Sequence, residues 1–502
     1  MLPRCVPTVL AAGFMFVCPA PAAAQAGTAD IAYTLAADGD FSAFDVTLRF
    51  RGEEDGETGI LLPSEWGPEA GLDRQFSDFG IIEADGEPRP VEAAGGRIDV
   101  VHAPGAWLTL HYRFAQDYDG LPSWEQQRVP GMRPVTQPGF AVFVGAAAFV
   151  HPEMSADDTL TYTVRAEVDG SPVEISSSLG EGMAIETGAL TPASFLDTLW
   201  LLGDFSRSTH LTDGARVHTA IRGDLPLARD AFQDLADRTI AGAASLFDDV
   251  PFDSYLMAAM PLPPIPDQSA VIGTALHQSF FLLTTSNAGA AEVRRTVAHE
   301  ILHEWITGRM GPTDEATDPA RMWFTEGFTE YFTHLVRLRQ GEIDLQGFLD
   351  AMNGLDAEYR VSPVRGLPRD ELIERLWESR ETERLPYQRG ALLAFLTDSD
   401  LAGRDDARLA DVVANLIAEN QSHLAQTGVP LPLTDDRIAA ALEHVAGGGA
   451  VSRIDAVTGD GAILTMPAGL LFGCIETRPE GPAFSLADGA DAQACEAGIT
   501  RG

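Results

Sequence analysis

The 502-residue sequence contains no lysine: all 34 basic residues are arginine, set against 74 acidic residues for a formal net charge of −40. A field of that sign repels phosphates and excludes nucleic acid as a partner. Its plainest use is to keep the chain soluble, and attraction of basic substrates is the other reading. Cysteine is also scarce, with four in the chain. Long apolar runs are missing beyond the amino terminus. The longest candidate, at 462–473, is interrupted by Thr465 and Pro467 and falls short of the roughly 18 residues that a membrane helix needs. The mature chain is therefore expected to carry no transmembrane segment.

What is present begins with an export signal. Arg4 makes a short basic start, an apolar stretch covers 9–17, and small residues follow through Ala26. This pattern reads as a cleavable leader over residues 1–26 and predicts a periplasmic or secreted protein. Cys5 and Cys18 depart with the leader. Cys474 and Cys495 remain in a compartment that permits oxidation, which predicts one disulfide between them.

The chain is longer than one hydrophobic core usually holds, so several domains are expected. Over 27–186 the sequence consists of short β-branched and aromatic runs, at 44–50, 107–114 and 159–168, broken by Gly, Pro and Asp. That pattern predicts an all-β domain. Over 187–340 the period changes. An amphipathic helical stretch at 227–247 lies between strand-like runs at 216–221 and 254–260, then 271–285 reads as one or two strands and 288–307 as a helix stopped by Gly308. An α/β domain is expected there. A helical domain is expected over 341–450, with breaks at Gly341, Gly354, 363–368, Pro386 and 430–432. Residues 451–502 form a Gly- and Ala-rich tail that holds the disulfide and shows no clear periodicity.

The chemistry is concentrated in His299-Glu300-Ile301-Leu302-His303. Two imidazoles four residues apart on a helix lie one turn plus about 40° from each other, so both reach one ion from the same face. Val293, Val297, Ala298, Ile301, Leu302, Trp305 and Ile306 surround them, which buries the helix and turns its polar residues toward a cleft. After 22 intervening residues, Glu326 in WFTEGF supplies a carboxylate at a helix start, with enough chain to turn back and offer a third ligand. Two histidines and one glutamate leave a position for water, whose pKa zinc lowers toward neutrality, and Glu300 can take its proton and deliver it to a leaving amine. Glu330, four residues after Glu326, either accepts the outer N–H of a ligating histidine or is a plain surface glutamate.

At these residues the sequence resembles the gluzincin metallopeptidases. TVAHEILHEW at 296–305 and WFTEGFTEYF at 323–332 are similar to the membrane-alanyl and glycyl aminopeptidase families, more closely to the latter. The resemblance implies one Zn²⁺ per chain held by His299, His303 and Glu326. It also implies a peptide or protein substrate, and a transition-state tyrosine at Tyr387 in PYQRGAL, about sixty residues beyond the glutamate ligand. With the domain pattern above, it gives an all-β N-terminal domain, a thermolysin-like α/β catalytic domain and a C-terminal helical domain.

Three departures stand out. The spacing from His303 to Glu326 is about four residues longer than the commonest gluzincin pattern, which a loop over 309–321 would absorb. The strand before the zinc helix in these aminopeptidases carries a glutamate for the substrate amine, whereas Gly273-Thr274-Ala275-Leu276-His277 keeps a histidine and lacks that glutamate. The tail is too short for the PDZ-like domain that often ends the glycyl family. His277 either lines the substrate edge or is simply polar on an exposed strand. The reading is thus an exported zinc metallopeptidase, an aminopeptidase or an endopeptidase. Its alternatives are a non-catalytic exported binding protein on the gluzincin fold, or a gluzincin hydrolase of a non-peptide bond.

Overall fold

A computed structural model describes residues 29–500, apart from 84–88, 156–157, 314–317, 403–406 and 479–482. The leader expected over 1–26 lies outside the described residues. The chain folds as a β-rich N-terminal region followed by a mixed sheet and a helical C-terminal region.

The largest N-terminal sheet is built around Leu160–Val168, Ile31–Ala37, Phe44–Arg51, Trp107–Phe114 and Phe76–Glu83, neighbours in that order. Alternate residues of Ile31–Ala37, Phe44–Arg51 and Trp107–Phe114 are buried, as a strand with one face on a core requires. A second sheet, with Phe140–Val144 and Leu199–Gly203 at its heart, faces it. Phe44, Phe114, Phe143, Phe149, Phe195 and Trp200 fill the core common to both. The sequence pattern placed the end of this region at 186. The structure carries β pairing further, because Leu199–Gly203 binds Phe140–Val144 along its whole length.

The next sheet runs Ser206–Thr212, Ala215–Ile221, Ser254–Pro261, Ser279–Thr284 and Val271–Leu276. Ala215–Ile221 and Ser254–Pro261 are parallel and are joined through the helix Arg229–Phe247, the crossover that parallel strands demand. Ser279–Thr284 is interior, buried at every residue, and it hairpins back on the edge strand Val271–Leu276, which is only half-buried. Behind this sheet packs the helix Ala290–Leu302, here the clamp helix.

The remaining helices include Asp318–Thr325, Gly327–Arg339, Leu345–Val361 and Arg380–Leu401. Helical structure from Asp318 onward shortens the loop expected over 309–321. Two expected breaks do not break. Gly354 lies inside Leu345–Val361, where a glycine costs about 1 kcal/mol and the burial of Phe348, Leu349, Met352 and Leu355 outweighs it. Pro386 lies inside Arg380–Leu401, which starts from a capping box between Ser379 and Thr382. There the ring forfeits a single hydrogen bond, to the Thr382 carbonyl, in a helix buried along most of its length.

The tail is folded. It contains a small sheet of Gly469–Leu470, Ile475–Thr477 and Phe484–Leu486, the helix Ala492–Ile499, and a Cys474–Cys495 disulfide. It grips the helical region directly. Asn353 exchanges two hydrogen bonds with the Phe484 backbone, at 2.9 and 2.7 Å, and the Phe484 ring packs edge-on to Phe395. The buried Arg389 guanidinium donates to the carbonyls of Leu367, Val457 and Thr458.

Candidate metal centre

Burial of Val293, Val297 and Ile301 on one stripe of the clamp helix fixes its rotation, and this turns His299 and Glu300 inward at 4% and 8% exposure. The helix was expected to reach Thr307, but its α-helical pattern ends at Leu302 and passes through His303 into a wider π-helical turn over Glu304–Arg309. The chain then leaves the axis at Ile306 (φ −89°, ψ 105°) and Thr307 (φ 94°, ψ −60°). Positive φ is a costly conformation for a β-branched residue. Two fully buried neighbours hold it there: Trp305, whose indole N–H donates to the Asp249 carbonyl at 2.9 Å, and Ile306.

Glu326 is the single residue between Asp318–Thr325 and Gly327–Arg339. Its Oε2 lies 3.1 Å from His299 Nε2 and 3.4 Å from His303 Nε2, and the two imidazole rings are 4.8 Å apart, nearly perpendicular. All three ligand atoms fall within 4.8 Å of one another. Two imidazoles and one carboxylate are a zinc donor set with room for a fourth ligand.

Behind His299, Glu330 Oε2 lies 3.1 Å from Nδ1, at an angle outside hydrogen-bond geometry. The same carboxylate takes a hydrogen bond from Arg295 at 2.9 Å and faces His334 Nε2 at 3.3 Å. His334 therefore belongs to the support behind the ligands.

Two close backbone approaches place the remaining groups. A Cβ on Gly273 of the edge strand would fall 2.3 Å from Glu300 Oε1, so the absence of a side chain there seats the Glu300 carboxylate against the strand. A Cβ on Gly390 would fall 2.0 Å from the Trp323 carbonyl oxygen, and one on Gly327 would fall 2.5 Å from Gly390 Cα. The helix that carries Tyr387 thus crosses the helices flanking Glu326 at backbone contact. Tyr387 stacks 5.9 Å from the His299 ring, on the side of the cluster that holds Glu326. His277 follows the edge strand and lines a cavity that also reaches His303.

Without a cation the cluster holds protons instead. Burial pushes His299 down, but the facing carboxylates of Glu326 and Glu330 outweigh it and raise the imidazole to about 9. Burial likewise opposes charge on Glu326, yet His303 and His299 hold it well below the usual carboxylate range. Burial raises Glu300 and the neighbouring imidazoles restrain the rise. Tyr387 is held well above the usual phenol range by burial and then by Glu326 and Glu300, so it stays protonated.

A metal must expel the His299 proton. Zinc affinity is therefore expected to climb about tenfold per pH unit for each proton released until about pH 9 and to flatten above it. Competition with a chelator of known affinity, run across that window, checks this. An affinity independent of pH there would remove the imidazoles from the ligand set.

Residues 292–369 match the family model described as M61 glycyl aminopeptidase. That segment contains the whole three-ligand cradle. On this match the chain is a zinc metallopeptidase, similar over that segment to the gluzincin family. No curated protein sequence matches this chain. Solved structures do. An aminopeptidase N family protein from Idiomarina loihiensis is 16% identical with a TM-score of 0.69, over 87% of this chain and 77% of that one. The M1 zinc metallopeptidase from Deinococcus radiodurans is 15% identical with a TM-score of 0.56, over 87% of this chain and 95% of that one. At such identities the likeness is one of fold.

Several residues of the site escaped the sequence reading. Arg295 is one turn before His299 and could have been suspected from that spacing. Gly273, Gly327 and Gly390 carry no local signal, since each is needed only because another backbone or side chain comes within contact distance.

Proposed function

We propose that this chain is an exported aminopeptidase in which His299, His303 and Glu326 hold zinc, Glu300 acts as general base and then acid, and Tyr387 supports the oxyanion. The observation that carries the reading is the convergence of a buried carboxyl group and a protonated phenol on the three-ligand cradle. Zinc, when bound, supplies Lewis acidity to the substrate carbonyl and to the attacking water.

The chain's own residues do the rest. Glu300, its pKa raised by burial, accepts the water's proton on its carboxylate and returns it to the leaving amine. Tyr387 donates its hydroxyl hydrogen bond to the oxygen that gains charge. Glu330, steadied by Arg295 and His334, orients the His299 ring. We read the five-stranded sheet with the clamp helix behind it as a thermolysin-like domain. Export is supported by the leader composition of residues 1–26 and by the Cys474–Cys495 disulfide.

The test is a peptide panel with free amino termini, assayed before and after chelation and after zinc is returned. Hydrolysis that a chelator does not touch would sink the reading. Within the same assay Tyr387→Phe is expected to lower kcat by about 10²–10³-fold with little change in KM. Equal loss of binding and turnover would instead make Tyr387 a ground-state contact.

A further inference from the structure

The edge strand ends in a cavity that the mechanism above does not use. It has a volume of about 840 Å³ and starts at His303, between the hairpin residues Ala275 and His277 on one side and the segment around Thr307 and Asn420 on the other. Two carboxyl groups line it. Glu304, one residue beyond a zinc ligand, is 9% exposed. Asp197 is contributed by the N-terminal region and is exposed. The two line the same cavity. Among the described residues no arginine or histidine pairs with either, although most other buried acids near the site are paired, as Glu330 is with Arg295. A buried carboxyl group that faces a cavity without a basic side chain beside it is placed to receive a cation that enters from outside.

The direction of the edge strand says which part of a peptide arrives there. Val271–Leu276 has an unpaired outer edge, and antiparallel addition is the more stable way to extend a sheet. An added peptide running antiparallel to it has its carboxyl-terminal part toward Val271 and its amino-terminal part toward His277. Gly273, against which Glu300 rests, marks the reacting centre, so the cavity lies on the amino side of the scissile bond. The segment Gly273 to His277 itself has no carboxylate to meet an ammonium group.

We propose that this cavity holds a cationic group on the amino side of the scissile bond, an α-ammonium or a basic side chain, between the carboxylates of Asp197 and Glu304. The proposal rests on the peptidase reading for the direction of the substrate and adds what the substrate must carry. It also gives the two acidic residues a role that the lost strand glutamate would otherwise leave vacant.

The test uses the zinc-loaded full chain, as the unsubstituted protein, as Asp197→Asn, and as the double variant Asp197→Asn with Glu304→Gln. The probes are an alanyl tripeptide and its acetylated twin, and two acetylated peptides with arginine or citrulline before the scissile bond. Binding is read by calorimetry and turnover separately. At least one cationic probe is expected to bind about tenfold or more tightly than its neutral twin. Asp197→Asn is expected to remove most of that preference by raising KM while kcat holds. The first pair assigns the site to the α-ammonium and the second pair to a side chain. Equal binding within both pairs overturns the proposal, as does a preference that survives in the double variant at unchanged zinc content. Charge-selective binding without any hydrolysis would defeat the peptidase reading and leave the cation site standing.

Discussion

Glu300→Gln is expected to lower kcat by about 10²–10⁴-fold, the usual worth of a positioned general base, while zinc content stays that of the parent protein. The amide keeps the size and planarity of the carboxyl group, which matters because Glu300 fills a fixed space against the Gly273 backbone. It cannot accept a proton, and neither of the carboxyl groups that face His299 stands ready to replace it. Glu326 is committed between the two imidazoles and Glu330 is held by Arg295. Glu300 is also not a ligand, so metal analysis of the purified variant separates loss of the base from loss of the ion. A zinc-replete variant that turns over at the parental rate would show that the proton goes elsewhere.

Gly390→Ala is expected to damage both the fold and the site. In an ordinary buried helix, alanine for glycine stabilises by about 1 kcal/mol. Here the added carbon would sit 2.0 Å from the Trp323 carbonyl oxygen and 2.7 Å from Gly327 Cα. Both partners are backbone, so no side chain can rotate away, and the two helices must part. Overpacking of this kind costs about 1–3 kcal/mol or more, which reverses the propensity gain. Parting also withdraws Tyr387 from Glu326 and His299. The expected outcome is a lower melting temperature together with a fall in kcat that exceeds the effect of Tyr387→Phe. A variant as stable and active as the parent would mean that the helices do not touch at these glycines.

The contrast between these two positions shows what a sequence makes legible. Glu300 is readable because its neighbours are local: two histidines at helical spacing define the face, and the glutamate lies between them. Glu326 needs only that the chain turn back once. Gly390 is invisible by the same measure, because its requirement comes from a helix more than sixty residues away.

The helix ends were misread for a related reason. Pro386 and Gly354 are locally unfavourable, and it is tertiary burial that keeps their helices whole. Thr307 was read as helical because the apolar spacing continues through Ile306, yet burial of Trp305 and Ile306 draws the chain off the axis. The β pairing of Leu199–Gly203 with Phe140–Val144 likewise depends on a partner nearly sixty residues earlier.

The folded tail gives the C terminus a consequence for the far side of the molecule. A shortened chain stopping after Ala446 would strip the carbonyls of Val457 and Thr458 from the Arg389 guanidinium and lay bare Phe395. The guanidinium would keep only the Leu367 carbonyl, and the donors left without partners cost about 1–3 kcal/mol, two residues from Tyr387 on the same rod. Trimming the end of this protein would therefore act as a lesion of its catalytic wall, reached from behind.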